Sequence, residues 1–159
     1  MNFYLRYDYT EDSNFTEGLA KWNDSAADIQ INSASYSSSD VDLYSVTTST
    51  WNSNGWGDGE GWTQPYSSTN GACVSSPSDV TDICGSSDTI SYAAIYLHSG
   101  NVSFFDSRRR AVIAHELGHA VGLAHTQFIS TQATSLMTKG LKGGYTPSAY
   151  DVGELNGKY

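Results

Sequence analysis

The segment His115-Glu116-Leu117-Gly118-His119-Ala120-Val121-Gly122-Leu123-Ala124-His125 constrains the fold of this chain more tightly than any other. Side chains four residues apart on an α-helix lie one above the other on one face, so His115 and His119 can aim ring nitrogens at one point. Glu116 projects beside them. Gly122 tolerates a left-handed conformation, which lets the chain leave the helix, turn sharply and bring His125 back to the same point. Three neutral imidazoles leave the fourth position of a tetrahedral zinc ion open, the arrangement of a catalytic rather than a structural site. The short form H-E-x-x-H recurs by chance on helix surfaces; the added glycine and third histidine make chance a poor account. Three of the four histidines in the chain fall inside this one segment at ligand spacing, and histidines that were merely solvated would have no reason to do so.

Such a site predicts hydrolysis. Zinc held by three neutral imidazoles keeps its double charge, lowers the pKa of a bound water to about 7 and polarises a carbonyl. Glu116 is the expected general base for that metal-activated water. Two other classes fit the motif: a zinc module that only binds a partner, against which the intact Glu116 speaks, and a zinc hydrolase acting on non-peptide amides or esters.

The extended motif and the later Ser135-Leu136-Met137 together resemble the signature of the metzincin zinc peptidases. Met137 is the only methionine besides Met1, and the resemblance makes it the Met-turn residue, an apolar floor beneath the zinc ligands. Within that clan the chain is most similar to the matrixin-like peptidases, including small bacterial secreted members. Ser91-Tyr92-Ala93-Ala94-Ile95-Tyr96-Leu97 precedes the zinc helix as an edge strand does there. Phe104 and Phe105 form a hydrophobic lead-in, and Tyr150-Asp151-Val152-Gly153-Glu154-Leu155 resembles the acidic C-terminal helix. The resemblance implies an α+β domain: a twisted, mostly parallel sheet with an antiparallel edge strand, a backing helix, the zinc-site helix, the Met-turn and a C-terminal helix. It also implies one catalytic zinc and polypeptide substrates. Substrate is expected along the strand through Ala93, Ala94 and Ile95, because an unpaired strand edge offers backbone groups to any peptide. Residues 141–150, with Tyr145 and Pro147 foremost, are expected to wall the pocket beside the metal. The chain departs from its relatives at Thr138 and Lys139, where some metzincins place a tyrosine near the zinc. A cysteine-containing propeptide switch and the histidines of a second, structural zinc are not visible either.

Size and charge agree with an enzyme of this kind. A chain of 159 residues can bury a core of its own, and one domain over residues 1–159 is expected. Seventeen acidic against eight basic residues give a net charge of -9, which argues against nucleic acid or an anionic membrane as the partner. No apolar run reaches the roughly 20 residues of a membrane span and no leader pattern opens the chain, so a mature or trimmed secreted form, monomeric, is expected. Cys73 and Cys84 are the only cysteines and flank a polar loop, a spacing that suits a local disulfide in an oxidising compartment. Two reduced thiols or thiolate ligands are the alternatives.

Hydrophobic patterning supplies the remaining elements. Residues 3–9, 27–31 and 41–46 alternate as half-buried strands, and 16–22 begin an amphipathic helix packed through Leu19 and Trp22. This β-α-β-β order suits a sheet backed by a helix. Residues 47–91 turn to Ser, Gly, Asn, Asp and Trp, and long ordered loops are expected there. Trp51, Trp56 and Trp62 read as loop residues tucked onto the sheet, with an aromatic surface near the cleft as the alternative. Asp58-Gly59-Glu60-Gly61 carries oxygen donors of the kind calcium takes, without EF-hand spacing. Arg108-Arg109-Arg110 reads as a solvated face, with recognition of acidic substrate residues as the alternative. His98 reads as an exposed polar residue.

Overall fold

The computed structural model describes residues 2–7, 13–68, 71–73, 89–101, 106–126 and 132–159. Among these, β1 (Asn2–Tyr7), β2 (Gln30–Ser33), β3 (Val41–Val46), β4 (Gly61–Ser67), β5 (Gly71–Ala72) and β6 (Ile90–His98) form one sheet in the order β2-β1-β3-β6-β4-β5. The pairs β1/β2, β1/β3 and β3/β6 are parallel, whereas β4 runs antiparallel to β6 and β5 antiparallel to β4. Helices α1 (Ser13–Asn23), α2 (Thr48–Ser53), α3 (Asp106–Ala120) and α4 (Ala149–Asn156) complete the chain. The expected α+β class and mostly parallel sheet are present, and no helix among the described residues is long and apolar enough to cross a membrane.

Alternation along the strands sorts side chains onto two faces. Val41 and Leu43 of β3 and Ala93 and Ile95 of β6 pack with Phe15 and Trp22 of α1 and Val112, Ile113 and Leu117 of α3 into the main core. Trp22 is fully buried, and its indole Nε1 donates to Ala114 O at 2.8 Å. Helix α1 is therefore tied to the zinc-motif helix by a hydrogen bond as well as by packing. A second, smaller cluster buries Trp51 of α2 and Trp62 of β4, with Val46, Trp56 and Tyr96 against them.

The sheet corrects the expectation for residues 91–97. Strand β6 lies between β3 and β4, with Ala93, Ala94 and Ile95 hydrogen-bond register partners on both sides, so it is an interior strand. The antiparallel strand on its outer side is β4, which falls inside the stretch expected to be loops. Glycine, serine and asparagine around it hid a strand whose alternation spans only a few residues. Pro65 was the available signal, since a residue without an N–H is confined to the edges of sheets. Helix α2 lies in the same stretch, with the Thr47 side chain accepting from Thr50 N at its start. Strand β2 sits later than the local pattern suggests because its ends are set by pairing with β1, Asn2 opposite Gln30 and Leu5 opposite Ser33. Residues 8 and 9, Phe104 and Phe105 lie outside the described residues.

Two surface assignments also change. His98 is buried, its ring stacked on Trp51 with centroids 4.7 Å apart and Nε2 3.1 Å from Thr48 Oγ1. The arginine run is not simply solvated: Arg108 pairs with Glu60, and Arg110 pairs with Glu17 and donates to Asn14 Oδ1 at 2.7 Å. A glycine-rich loop brings Glu60 within reach, and the packing of α1 on α3 brings Glu17.

Trp22→Phe removes the indole donor from a closed core and leaves Ala114 O without it. A destabilisation of about 1 to 3 kcal/mol is expected, read as a lower urea midpoint at unchanged m-value. An unchanged midpoint would show that packing alone joins α1 to α3.

Candidate metal centre

Helix α3 carries buried side chains from Ala111 to Ala120, and its end is what returns the chain to the site. Gly122 takes φ +93°, Gly122 N donates to His119 O at 2.9 Å and Leu123 N to Gly118 O at 2.8 Å, the paired bonds of a Schellman cap. His125 follows directly. The Nε2 atoms of His115, His119 and His125 then converge at mutual distances of 3.1, 3.2 and 3.2 Å. Those separations are close to the ~3.3 Å edge of a tetrahedron built on Zn–N bonds of ~2.0 Å.

The outer ring nitrogens settle the tautomers. His115 Nδ1 donates to Leu136 O at 2.7 Å and His119 Nδ1 to Leu123 O at 2.6 Å; a carbonyl can only accept, so both protons reside on Nδ1. Bare Nε2 lone pairs therefore face one another across the site, an arrangement that a cation relieves. Burial holds His115 and His119 below the ordinary imidazole range and, with the neighbouring His115 and Lys139 charges, takes His125 down to about 3. The rings thus remain neutral and ready to ligate through the physiological range. Among the described residues, this triad is the one group of three or more His, Cys, Asp or Glu side chains able to hold a metal ion. The Asp58 to Gly61 run builds no calcium site, because the Glu60 carboxylate is paired with Arg108.

A buried carboxylate supports the triad from below. Asp151, in the first turn of α4, accepts from Leu136 N at 2.9 Å, from Ser148 N at 2.8 Å, from Ser148 Oγ at 2.9 Å and from Ser135 Oγ. Part of this is the capping box of α4, which Ser148-x-x-Asp151 foreshadows in the sequence. The rest holds the turn whose Leu136 carbonyl orients His115. Met137, in that turn, is buried to 1% exposure and packs beneath α3, where a Cβ on Gly118 would strike its sulfur.

Glu116 is buried in the same cleft. Burial pushes its carboxyl up to about 7, opposed by the Thr63 hydroxyl, which lies 2.7 Å from Oε2 and 2.9 Å from the Glu116 carbonyl. Gly61 lets β4 approach this closely, since a Cβ there would sit 2.6 Å from Glu116 Cγ. The cleft, about 460 Å³, is lined by the loop from Gly55 to Glu60, the start of β4, Val112, the triad, Glu116 and the turn Lys139-Gly140-Leu141.

All five expected substrate contacts are therefore corrected. Ala93, Ala94 and Ile95 lie within the sheet, and neither Tyr145 nor Pro147 lines the cleft. Gly143 and Gly144 fold the chain against Ser135, with Gly144 N 3.4 Å from Ser135 O, and carry Tyr145 out to the surface, where it hydrogen-bonds Arg108. The wall falls on residues 139–141, so of the expected stretch 141–150 only Leu141 lines the cleft. Thr63 and Lys139 carry no local mark of the site in the sequence.

A four-stranded parallel core with an antiparallel flank, a histidine triad borne by a helix and its cap, and a buried glutamate beside it define a zinc-type metallopeptidase. Residues 4–126 match the model of the metallopeptidase family M12B, reprolysin-like, and the chain belongs to that family, one of the metzincins. The match includes the whole triad and is to the reprolysin-like family; it does not itself bear out the matrixin-like resemblance within the clan. The family implies a catalytic zinc and polypeptide substrates. No curated protein matches the chain.

Asp151→Ala leaves the buried Leu136 N–H and the Ser148 donors without their acceptor. A loss of about 3 to 5 kcal/mol is expected from orphaning such a group, with zinc affinity lowered about 10- to 100-fold through the misplaced His115. Thermal melting of metal-free protein and a competitive zinc titration measure the two effects separately; unchanged values in both would remove Asp151 from the support of the site.

Proposed function

We propose that this chain is a secreted zinc endopeptidase, a monomeric single domain over residues 1–159, in which Glu116 is the general base. The observation that carries the reading is geometric: the buried Glu116 carboxyl shares one cleft with three imidazoles whose Nε2 atoms converge within 3.2 Å. His115, His119 and His125 hold one zinc ion, which when bound polarises the scissile carbonyl and lowers the pKa of water. Glu116 accepts the proton of the attacking water at a carboxylate oxygen and passes it to the leaving amine. Thr63 orients that carboxylate through Oε2. Met137 gives the ligands a rigid apolar floor.

Substrate backbone adds along β4. Its outer edge pairs with residues 71–73 at Pro65, Tyr66 and Ser67, and among the described residues nothing pairs that edge at Gly61 to Thr63, the part that lines the cleft. Val112 and Leu141 supply apolar contacts for the side chain beside the cut. The net charge of -9 supports a polypeptide rather than a nucleic-acid partner. Secretion is consistent with a Cys73–Cys84 disulfide: no free cysteine occurs among the described residues, while Cys84 itself lies outside them. A linked peptide pair in a non-reducing digest is expected, and alkylation of both thiols in native protein would exclude the bridge.

Glu116→Gln tests the base. The amide preserves shape and leaves the histidines in place but cannot take a proton, so zinc content and fold should be retained while kcat falls about 10² to 10⁴-fold. Cleavage of casein-derived peptides by the wild type should stop with 1,10-phenanthroline. Wild-type turnover by a zinc-loaded Glu116→Gln protein would assign the proton transfer to another group.

A further inference from the structure

The turn after Met137 is built as a rigid pedestal. Leu141 N donates to Thr138 O at 2.9 Å, closing a four-residue turn with Gly140 at φ +74° and Leu141, unusually for a non-glycine residue, at φ +54°. Both ends are pinned. Thr138 and Leu141 are buried, Thr138 Oγ1 donates to Ser135 O at 3.2 Å and accepts from Gly143 N at 2.8 Å, and Thr126 N donates to Met137 O at 3.0 Å. A left-handed Leu141 costs backbone energy and persists because these bonds hold it. Lys139 occupies the exposed corner of this turn and lines the cleft beside the triad.

The other cations near the cleft are committed. Arg108 is held by Glu60 and Tyr145, and Arg110 by Glu17 and Asn14. Among the described residues no carboxylate pairs with Lys139. Asp58, the exposed acid of the lining, lies on the loop ahead of β4 rather than on this turn, and Glu60 is already paired. An unpaired ammonium on a rigid corner, in a protein of net charge -9, is a local attractive spot in a field that otherwise repels anions.

We propose that Lys139 is a specificity-determining residue whose ammonium pairs with a substrate carboxylate next to the scissile bond, so that acidic peptides are cut in preference to neutral ones. The carboxylate comes either from an acidic side chain or from the C-terminus of a short peptide. The inference rests on the zinc-peptidase reading of the cleft. Two matched peptide series separate the sources: Glu against Gln at each position flanking the cut, and a free C-terminal acid against its amide. At low salt the wild type should favour the carboxylate member of at least one series by about two- to fivefold in kcat/KM, the size of a partly exposed ion pair. That preference should fade as ionic strength approaches 1 M, where the Debye length is about 3 Å. Lys139→Met, which keeps the length without the charge, should abolish it, and Lys139→Glu should invert it. Equal cleavage of both members by the wild type, or a preference that survives in Lys139→Met, overturns the assignment while leaving the peptidase intact. Failure to cut any peptide in either series overturns both.

Discussion

Three imidazole nitrogens held within 3.2 Å of one another are the constraint on which the rest of this structure depends. The Nδ1 positions of His115 and His119 carry their protons, so the Nε2 lone pairs of these two rings face each other at that distance and repel. The protein must therefore hold the rings in place with backbone acceptors, Leu136 O for His115 and Leu123 O for His119. One acceptor comes from the helix cap that Gly122 permits. The other comes from a turn far along the chain.

That second acceptor transmits the demand outward. Leu136 is placed by the Asp151 carboxylate, which in turn belongs to the capping box of α4. The C-terminal helix thereby acts on the metal site without touching it. A buried carboxylate costs desolvation, and four donors offset that cost here while giving the turn a single geometry. From the other side, Trp22 fixes α3 against α1, so the helix carrying two of the ligands is braced both by the core and by the turn beneath it.

The cleft arises where the sheet stops. Strand β4 brings Gly61 and Thr63 against Glu116, burying the carboxyl enough to raise its pKa while leaving one oxygen under the control of a hydroxyl. The small Gly61 is what makes this burial geometrically available. Beyond the triad, the pinned turn at 138–141 forms the facing wall, and its strained backbone places Lys139 and Leu141 on the lining.

The histidine triad, Glu116 and the Met-turn were legible in the sequence because their chemistry is encoded by local spacing: helical periodicity and one glycine suffice to bring the ligands together. The helix-backed, mostly parallel sheet was legible for the same reason, through alternation in residues such as Val41 to Val46. The identity of the edge strand was not, since β4 and β6 differ in what lies beside them rather than in their own residues. Nor were the Glu60–Arg108 pair, the burial of His98 against Trp51, or the place of Lys139 rather than Tyr145 and Pro147 in the cleft. The sequence by itself determined which atoms can ligate a metal and move a proton, because those capacities belong to side chains at short range. Only the tertiary structure decided which strand borders the cleft, which charges are neutralised and which remains available, because pairing and burial depend on neighbours that are distant along the chain.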